Sequence, residues 1–235
     1  MAQDAVTPPP DAARHLKVVR PKSGEPIELF DGRGRTRRYA WDGGALRAAA
    51  AAVSLPPPPI RFTLFACVTK GSRWDWTIEK AVELGAARIV PVISDRCIVR
   101  LAPGERAAKA ERWRRIAADA ARQSDAVWLP EVCEAVDFPA ALELVKECGR
   151  VFVGALTDPP PPPIWTEVAK TLDGQVAKSS GLGVFVGPEG DFTPDELHAL
   201  LEVAVPVSLG PTILRAETAA LFALSVLAAA GHAAN

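Results

Sequence analysis

Two arginines and two carboxylates stand in loops where they could act on a substrate. Glu189 lies in Gly187-Pro188-Glu189-Gly190-Asp191, Arg96 in Ser94-Asp95-Arg96-Cys97, and Arg215 and Glu217 near the end of the stretch Leu209 to Thr218. A guanidinium offers a planar fork of donors to an oxyanion or a phosphate. A carboxylate can take a proton or hold such a fork in place. The chemistry within reach is removal of a proton and stabilisation of the anion it leaves. A further constellation, Lys70-Gly71-Ser72-Arg73, precedes Glu79, Lys80 and Glu83. Glu79 and Glu83 share a helix face, and Glu79 reads as solvated charge.

Alternating strands and helices must position these groups. Val203 to Leu209 reads as a buried strand and Ala219 to Ala230 as a nearly pure apolar helix. Gly210-Pro211 makes a turn between them. Alone, the stretch is a plain strand–turn–helix connection; its coexistence with 187–191 raises it, because α/β domains bind ligands at the carboxyl ends of strands. Upstream, Arg61 to Val68, Arg88 to Ile93, Val151 to Leu156 and Leu182 to Val186 read as strands. Trp74 to Gly85, Ala107 to Ser124 and Pro194 to Leu201 read as helices, the last with Thr193 as its cap. From residue 61 onward this alternation predicts an α/β domain with a mostly parallel sheet. Residues 1–13 read as a disordered lead, and 14–65 as small strands and turns forming an all-β module. Ile27 to Phe30 and Arg33 to Trp41 are its hairpin arms around Asp31-Gly32. Pro56 to Pro59 is a stiff spacer, and the prolines 159–163 an exposed loop or spacer.

Composition narrows the function. Hydrophobic residues make up 49% of 235, a globular chain. No apolar run is long enough to span a bilayer, and no basic-then-apolar leader is present. Cys67, Cys97, Cys133 and Cys148 are scattered, without a Cys-x-x-Cys pair, and the 3 histidines do not cluster. This argues against structural zinc, against any metal site and against a disulfide framework, and fits a reducing cytoplasm. Residues 1–115 carry 21 Lys/Arg against 12 Asp/Glu, and residues 116–235 carry 6 against 16. The basic front points to a polyanion, most simply nucleic acid, although two oppositely charged halves could also attract one another. The basic surface would comprise His15, Arg20, Arg33, Arg35, Arg37, Arg38, Lys70 and Arg73. Gly-x-Gly-x-x-Gly, Gly-Lys-Ser/Thr and Gly-x-Ser-x-Gly are absent, which disfavours a dinucleotide site, a P-loop and a hydrolase elbow.

In combination, the motifs resemble the RsmE-type methyltransferases of the SPOUT class. The resemblance starts at His15-Leu16-Lys17-Val18-Val19-Arg20 with Asp31-Gly32. It continues through Glu79 to Gly85, Pro91, Ser94 to Arg96 and Gln123-Ser124, and ends with Gly187 to Gly190 and Leu209 to Ala219. It implies a small N-terminal PUA-like β-barrel over 14–57 and a C-terminal SPOUT trefoil-knot α/β domain over 58–235. It also implies a homodimer and S-adenosyl-L-methionine-dependent methylation of N3 of a uridine in 16S ribosomal RNA. The expected cofactor residues are Leu156, Thr157, Val186, Gly187, Pro188, Glu189, Gly190, Leu209, Gly210, Ile213, Leu214, Thr218 and Ala219. Arg96, Glu189, Arg215 and Glu217 are the catalytic candidates. Three departures stand out: Asp191 where the family usually has a second Gly, no Arg shortly after Gln123-Ser124, and the proline run 159–163, which reads as an insertion. The alternatives are a SPOUT methyltransferase acting on another ribosomal or transfer RNA position, and a non-catalytic RNA-binding ribosome-assembly protein.

Overall fold

The computed structural model describes residues 5–8, 10–172 and 181–233. Contacts divide the chain into two compact units, residues 1–57 and 58–235.

The first unit contains strand β1 (Ala5–Val6), helix α1 (Pro10–Val19), and strands β2 (Pro26–Phe30), β3 (Arg35–Trp41), β4 (Leu46–Ala48) and β5 (Val53–Ser54). They form an antiparallel sheet in the order β1-β4-β3-β2, with β5 also on β3. Asp31 closes the β2–β3 turn: its Oδ1 accepts from the N–H of Arg33 at 2.7 Å and of Arg35 at 3.1 Å. These bonds hold its carboxyl below the usual range, the one from Arg33 contributing most. Two expectations are corrected. Residues 1–13 are not a disordered lead throughout: Val6 pairs with Leu46, and α1 begins at Pro10. Nor is the module all-β. Pro10 opens α1 because its fixed φ and missing N–H suit a first helical turn.

The second unit runs β6 (Phe62–Cys67), α2 (Ser72–Glu83), β7 (Arg88–Ile93), α3 (Pro103–Gln123), β8 (Glu131–Val132), β9 (Val136–Asp137), α4 (Phe138–Val145), β10 (Arg150–Gly154), α5 (Ile164–Leu172), β11 (Leu182–Val186), α6 (Pro194–Leu201), β12 (Val205–Val207) and α7 (Ala216–Ala233). Its sheet is parallel in the order β12-β10-β11-β6-β7-β8, with β9 also on β7. Every residue of β6 and β11 is buried, as continuous apolar runs require when a parallel sheet is covered on both faces. The strand expected over Val203 to Leu209 is shorter, and the last helix starts earlier than Ala219. Helices α4 and α5 were not foreseen. Both are short, and α5 follows directly on the proline run.

Four phenylalanines knit the layers. Phe65 and Phe185 stack with centroids 5.5 Å apart, and Phe185 meets Phe138 at 6.0 Å and Phe192 edge-on at 5.6 Å. Gly183 makes room beside them: a Cβ there would stand 2.9 Å from Val151 Cγ2 and 3.3 Å from Phe65 Cε2. On the other face, α7 buries Ala216, Ala219, Ala220, Ala223, Leu224 and Leu227. A Cβ on Gly231 would lie 2.6 Å from Phe62 Cζ, so the helix approaches β6 closely.

Phe185 is fully buried at the centre of this cluster. Phe185→Ala is expected to cost about 3–5 kcal/mol of stability, read from urea unfolding; a loss below about 1 kcal/mol would show that the cluster is not the core.

Candidate functional site

Three strand ends converge at the carboxyl edge of the sheet. Gly154, Ala155 and Leu156 leave β10, Val186 to Glu189 leave β11, and Ser208 to Gly210 leave β12. Together with 212–216 and Ala219 they enclose a cleft of about 290 Å³. Two large apolar side chains on its lining are strongly exposed, Ile213 at 82% and Leu156 at 63%. Apolar surface left in water around a concavity is the mark of a ligand site.

Each wall has a local cause. Gly210 has φ 128, a backbone that favours glycine, and Ser208 Oγ donates to its carbonyl at 3.2 Å and accepts from its N–H at 3.3 Å. The prolines 159–163 back this wall instead of forming a mere spacer. Ser208 N donates to the Pro162 carbonyl at 2.9 Å, and Ile164 N donates to the Ser208 carbonyl at 3.0 Å. The 187–191 loop turns on Asp191, which adopts φ 58, and Asp191 N donates to the Pro188 carbonyl at 3.0 Å. Its own Oδ1 accepts from Phe192 N at 2.8 Å. Asp is among the few residues that adopt the left-handed region, which is why it can stand where a glycine would be expected.

Most of the expected cofactor residues line this cleft: Leu156, Val186, Gly187, Pro188, Glu189, Leu209, Gly210, Ile213, Leu214 and Ala219. Thr157, Gly190 and Thr218 are not on its lining. Thr157 Oγ1 donates to the Pro159 carbonyl at 2.9 Å, the Gly190 carbonyl is engaged by Arg96, and Thr218 is exposed on α7. Sequence reasoning missed Gly154, Ala155, Asp191, Ser208, Thr212 and Ala216 as lining. Gly154 carried a signal, since a glycine ending a buried strand marks close backbone approach. A Cβ there would lie 3.0 Å from Leu209 Cδ1.

The four catalytic candidates differ in their surroundings. Arg96 is tied down: its Nη1 donates to the carbonyls of Gly190 and Phe192, each at 3.1 Å. Arg215 lines the cleft, is exposed, and has no ion-pair partner among the described residues. Glu189 lines the cleft and Glu217 stands in the first turn of α7. Arg73 lies between them, 3.6 Å from Glu189 and 3.7 Å from Glu217. Of the other basic candidates, His15, Arg20, Arg33, Arg35 and Lys70 are exposed. Arg37 donates to the Ala50 carbonyl at 2.9 Å and sits 5.5 Å over the Tyr39 ring, while Arg38 is 3.5 Å from Glu28. Being neighbours in β3, Arg37 and Arg38 point to opposite faces and do not form one patch.

Behind Arg96, a thiol cluster fixes the turn. Cys97 Sγ lies 3.3 Å from Ser94 Oγ and accepts from Ser94 N at 3.4 Å, and Cys67 donates to the same hydroxyl at 3.4 Å. Arg100 holds the Ser94 carbonyl at 2.8 Å and also the Asp95 carbonyl. The neighbouring Cys67 thiol, then the hydrogen bonds with Ser94, pull the Cys97 thiol down to about 6 against the opposing effect of burial. Cys67 is pushed up by the same contact.

The sequence model of an RNA methyltransferase domain matches residues 56–228. A protein of Mycobacterium tuberculosis named ribosomal RNA small subunit methyltransferase E is 35% identical over 228 residues, covering 92% of this chain and 83% of that one. A crystal structure of ribosomal RNA small subunit methyltransferase E from Neisseria gonorrhoeae, bound to S-adenosyl methionine, is similar with 30% identity and a TM-score of 0.77. It covers 94% of this chain and 90% of that one. A methyltransferase structure from Legionella pneumophila in complex with the cofactor SAM is similar at 28% identity and a TM-score of 0.78, covering 96% and 92%.

The thiol cluster makes stability depend on pH. An unfolded Cys97 titrates near 9.0 and the folded one near 6, so between these values the unfolded chain binds the extra proton. Stability is therefore expected to rise from pH 6 to pH 9, and to be lost as pH falls toward 6. Cys97→Ser cannot ionise and should flatten this slope in urea titrations under reducing conditions. An unchanged slope in the variant would assign the dependence elsewhere.

Proposed function

Because the chain belongs to the RNA methyltransferase family, among proteins of the ribosomal RNA small subunit methyltransferase E kind, we propose that it methylates N3 of a uridine in 16S ribosomal RNA with S-adenosylmethionine as donor. One observation carries this reading: a cleft of about 290 Å³ among three strand ends, with exposed apolar lips and with Glu189 and Arg215 on its walls.

The residues present fit the donor. Leu209, Ile213 and Leu214 offer apolar surface for an adenine ring, and small residues such as Gly154, Gly187 and Ala219 leave space beside it. Glu189 offers a carboxylate to a cationic ligand. When bound, S-adenosylmethionine supplies a methyl group on a positively charged sulfur. Every remaining task falls to the protein. The uracil imide must lose its N3 proton, and Glu189, on the cleft wall, is placed to accept it. Arg215, uncommitted among the described residues, stabilises the anion that results. Arg96, already bonded to two backbone carbonyls, keeps the 190–192 segment in place. Holding the two reactants in one orientation supplies much of the acceleration. The target base must be unpaired to enter.

The reading extends to the whole chain. The N-terminal unit acts as a PUA-like RNA-binding module whose exposed His15, Arg20, Arg33 and Arg35 contact phosphates. The C-terminal unit is trefoil-knotted, a rare topology, and the protein works as a homodimer in the cytoplasm. No helix among the described residues is long and apolar enough to cross a membrane, and no group of three or more metal-ligating residues is found among them.

Calorimetry on the purified protein tests the donor: binding of S-adenosylmethionine is expected, and none at millimolar ligand sinks the enzyme reading. Mass mapping of 16S ribosomal RNA from a deletion strain tests the target. One N3-methyluridine should disappear; if it persists, the substrate assignment is wrong. Arg215→Ala should lower turnover by about 10²-fold while leaving donor affinity within about twofold.

A further inference from the structure

Arg73 is the second residue of helix α2, an element that contributes nothing to the lining of the cleft. Its guanidinium nevertheless reaches two acidic side chains at the site, Glu189 and Glu217. Nη1 lies 3.6 Å from Glu189 Oε1, and Nε lies 3.7 Å from Glu217 Oε1. Glu189 belongs to the loop after β11, and Glu217 to the first turn of α7, directly after the 212–216 wall. One side chain from a third element thus fastens two of the segments that form the cleft.

Glu217 depends on this contact more than Glu189 does. Its side chain is only 11% exposed, against 25% for Glu189. Its second oxygen, Oε2, is buried without a hydrogen-bond partner among the described residues. A buried carboxylate cannot exchange a lost partner for water without a large penalty. No other described cation pairs with Glu189 or Glu217, since Arg96 is bonded to backbone carbonyls and Arg215 is unpaired. The chemistry also requires arginine. Its planar fork presents donors in two directions at once, whereas a lysine is a point charge.

We propose that Arg73 is a positioning residue for the methyl transfer: by bridging Glu189 and Glu217 it fixes the two walls of the donor cleft, and it does not serve as a contact for RNA phosphate. This rests on the reading that the cleft takes S-adenosylmethionine. Without the bridge both carboxylates lose their shared cation, and the walls lose their common register. Donor binding should therefore suffer and RNA binding should not. Glu217 and Arg73 should also behave as one unit, because each has little reason to hold its place without the other.

The test is calorimetric titration of S-adenosylmethionine into the full-length protein and its Arg73→Ala, Arg73→Lys, Glu217→Gln and double Arg73→Ala/Glu217→Gln variants. Filter binding of 16S ribosomal RNA without donor, over a range of salt, runs alongside. Arg73→Ala is expected to weaken donor binding about tenfold, with RNA affinity within about twofold and the salt slope unchanged. Arg73→Lys should fall between Arg73→Ala and the wild type, and the double variant should bind donor no worse than Arg73→Ala alone. Undiminished donor affinity in Arg73→Ala, or additive losses in the double variant, overturns the proposal. So does weaker RNA binding with a salt slope reduced by about one, which would make Arg73 a phosphate contact. If Arg73→Ala does not fold, Arg73→Lys and Glu217→Gln carry the same comparison, with their melting temperatures measured. If the wild type itself binds no donor, the cleft assignment has failed and the bridge loses its purpose with it.

Discussion

One buried carboxylate joins the loops on which the site depends. Glu196 is 7% exposed, and both of its oxygens accept hydrogen bonds from backbone N–H groups. Oε2 takes the N–H of Thr193 at 2.9 Å, while Glu196 N donates back to Thr193 Oγ1 at 3.2 Å, which closes a capping box on α6. Oε1 takes the N–H of Asp95 at 2.8 Å, from the turn after β7. A carboxylate so deeply placed is tolerable only with its oxygens bonded. The start of α6 and the 94–97 turn are therefore forced into contact, although 101 residues separate the partners in the chain. Arg96 inherits its position from that contact, and its reach to the carbonyls of Gly190 and Phe192 then fixes the loop that carries Glu189.

The core and the cleft share a residue as well. Phe192 packs against Phe185 and Phe138 on one side. On the other, it lies where a Cβ on Gly187 would come within 3.0 Å of its ring. Gly187 is on the cleft wall. The absence of a side chain there lets an aromatic of the core sit directly on the backbone of the ligand loop. Packing at this density transmits displacement. The cleft is thus not a loop feature added to an independent scaffold, because the aromatic cluster sets where its wall begins.

How much of this could be read from the residues follows from how local the determinants are. Strands β6, β7 and β11 are continuous apolar runs, and helix α6 announces itself by Thr193, Pro194 and Glu196, so all were legible. Glu79, read as solvated, lies 2.7 Å from Lys80, and Glu83 on the same helix face lies at 2.7 Å as well. Most of the cleft was legible too, because glycines and prolines cluster at the strand ends that form it. Helices α4 and α5 were hidden by their length, which leaves too few turns for a 3.6-residue period to show. The surroundings of Arg73 were hidden for another reason. A lone arginine after Gly-Ser reads as a phosphate contact, and nothing nearby in sequence reveals the two carboxylates that the sheet topology delivers to it. Arg37 and Arg38 show another limit: adjacent charges in a strand look like one patch in sequence and separate onto two faces in space.

The proline run 159–163 shows how composition can mislead about role. Five prolines can donate no backbone hydrogen bond, which reads as a spacer. Their carbonyls can still accept, and Pro162 does so from Ser208. The bridge between Pro163 and Ser208 is parallel and isolated. A segment that only accepts can lean on a strand end without extending the sheet, since the next donor in the ladder is missing. Beside β12 this has a geometric consequence. Pairing stops at Ser208, and Gly210 turns the chain with φ 128. Residues 212–216 then run along the cleft instead of continuing into the sheet, which is where Ile213 and Arg215 must be if they are to meet a ligand.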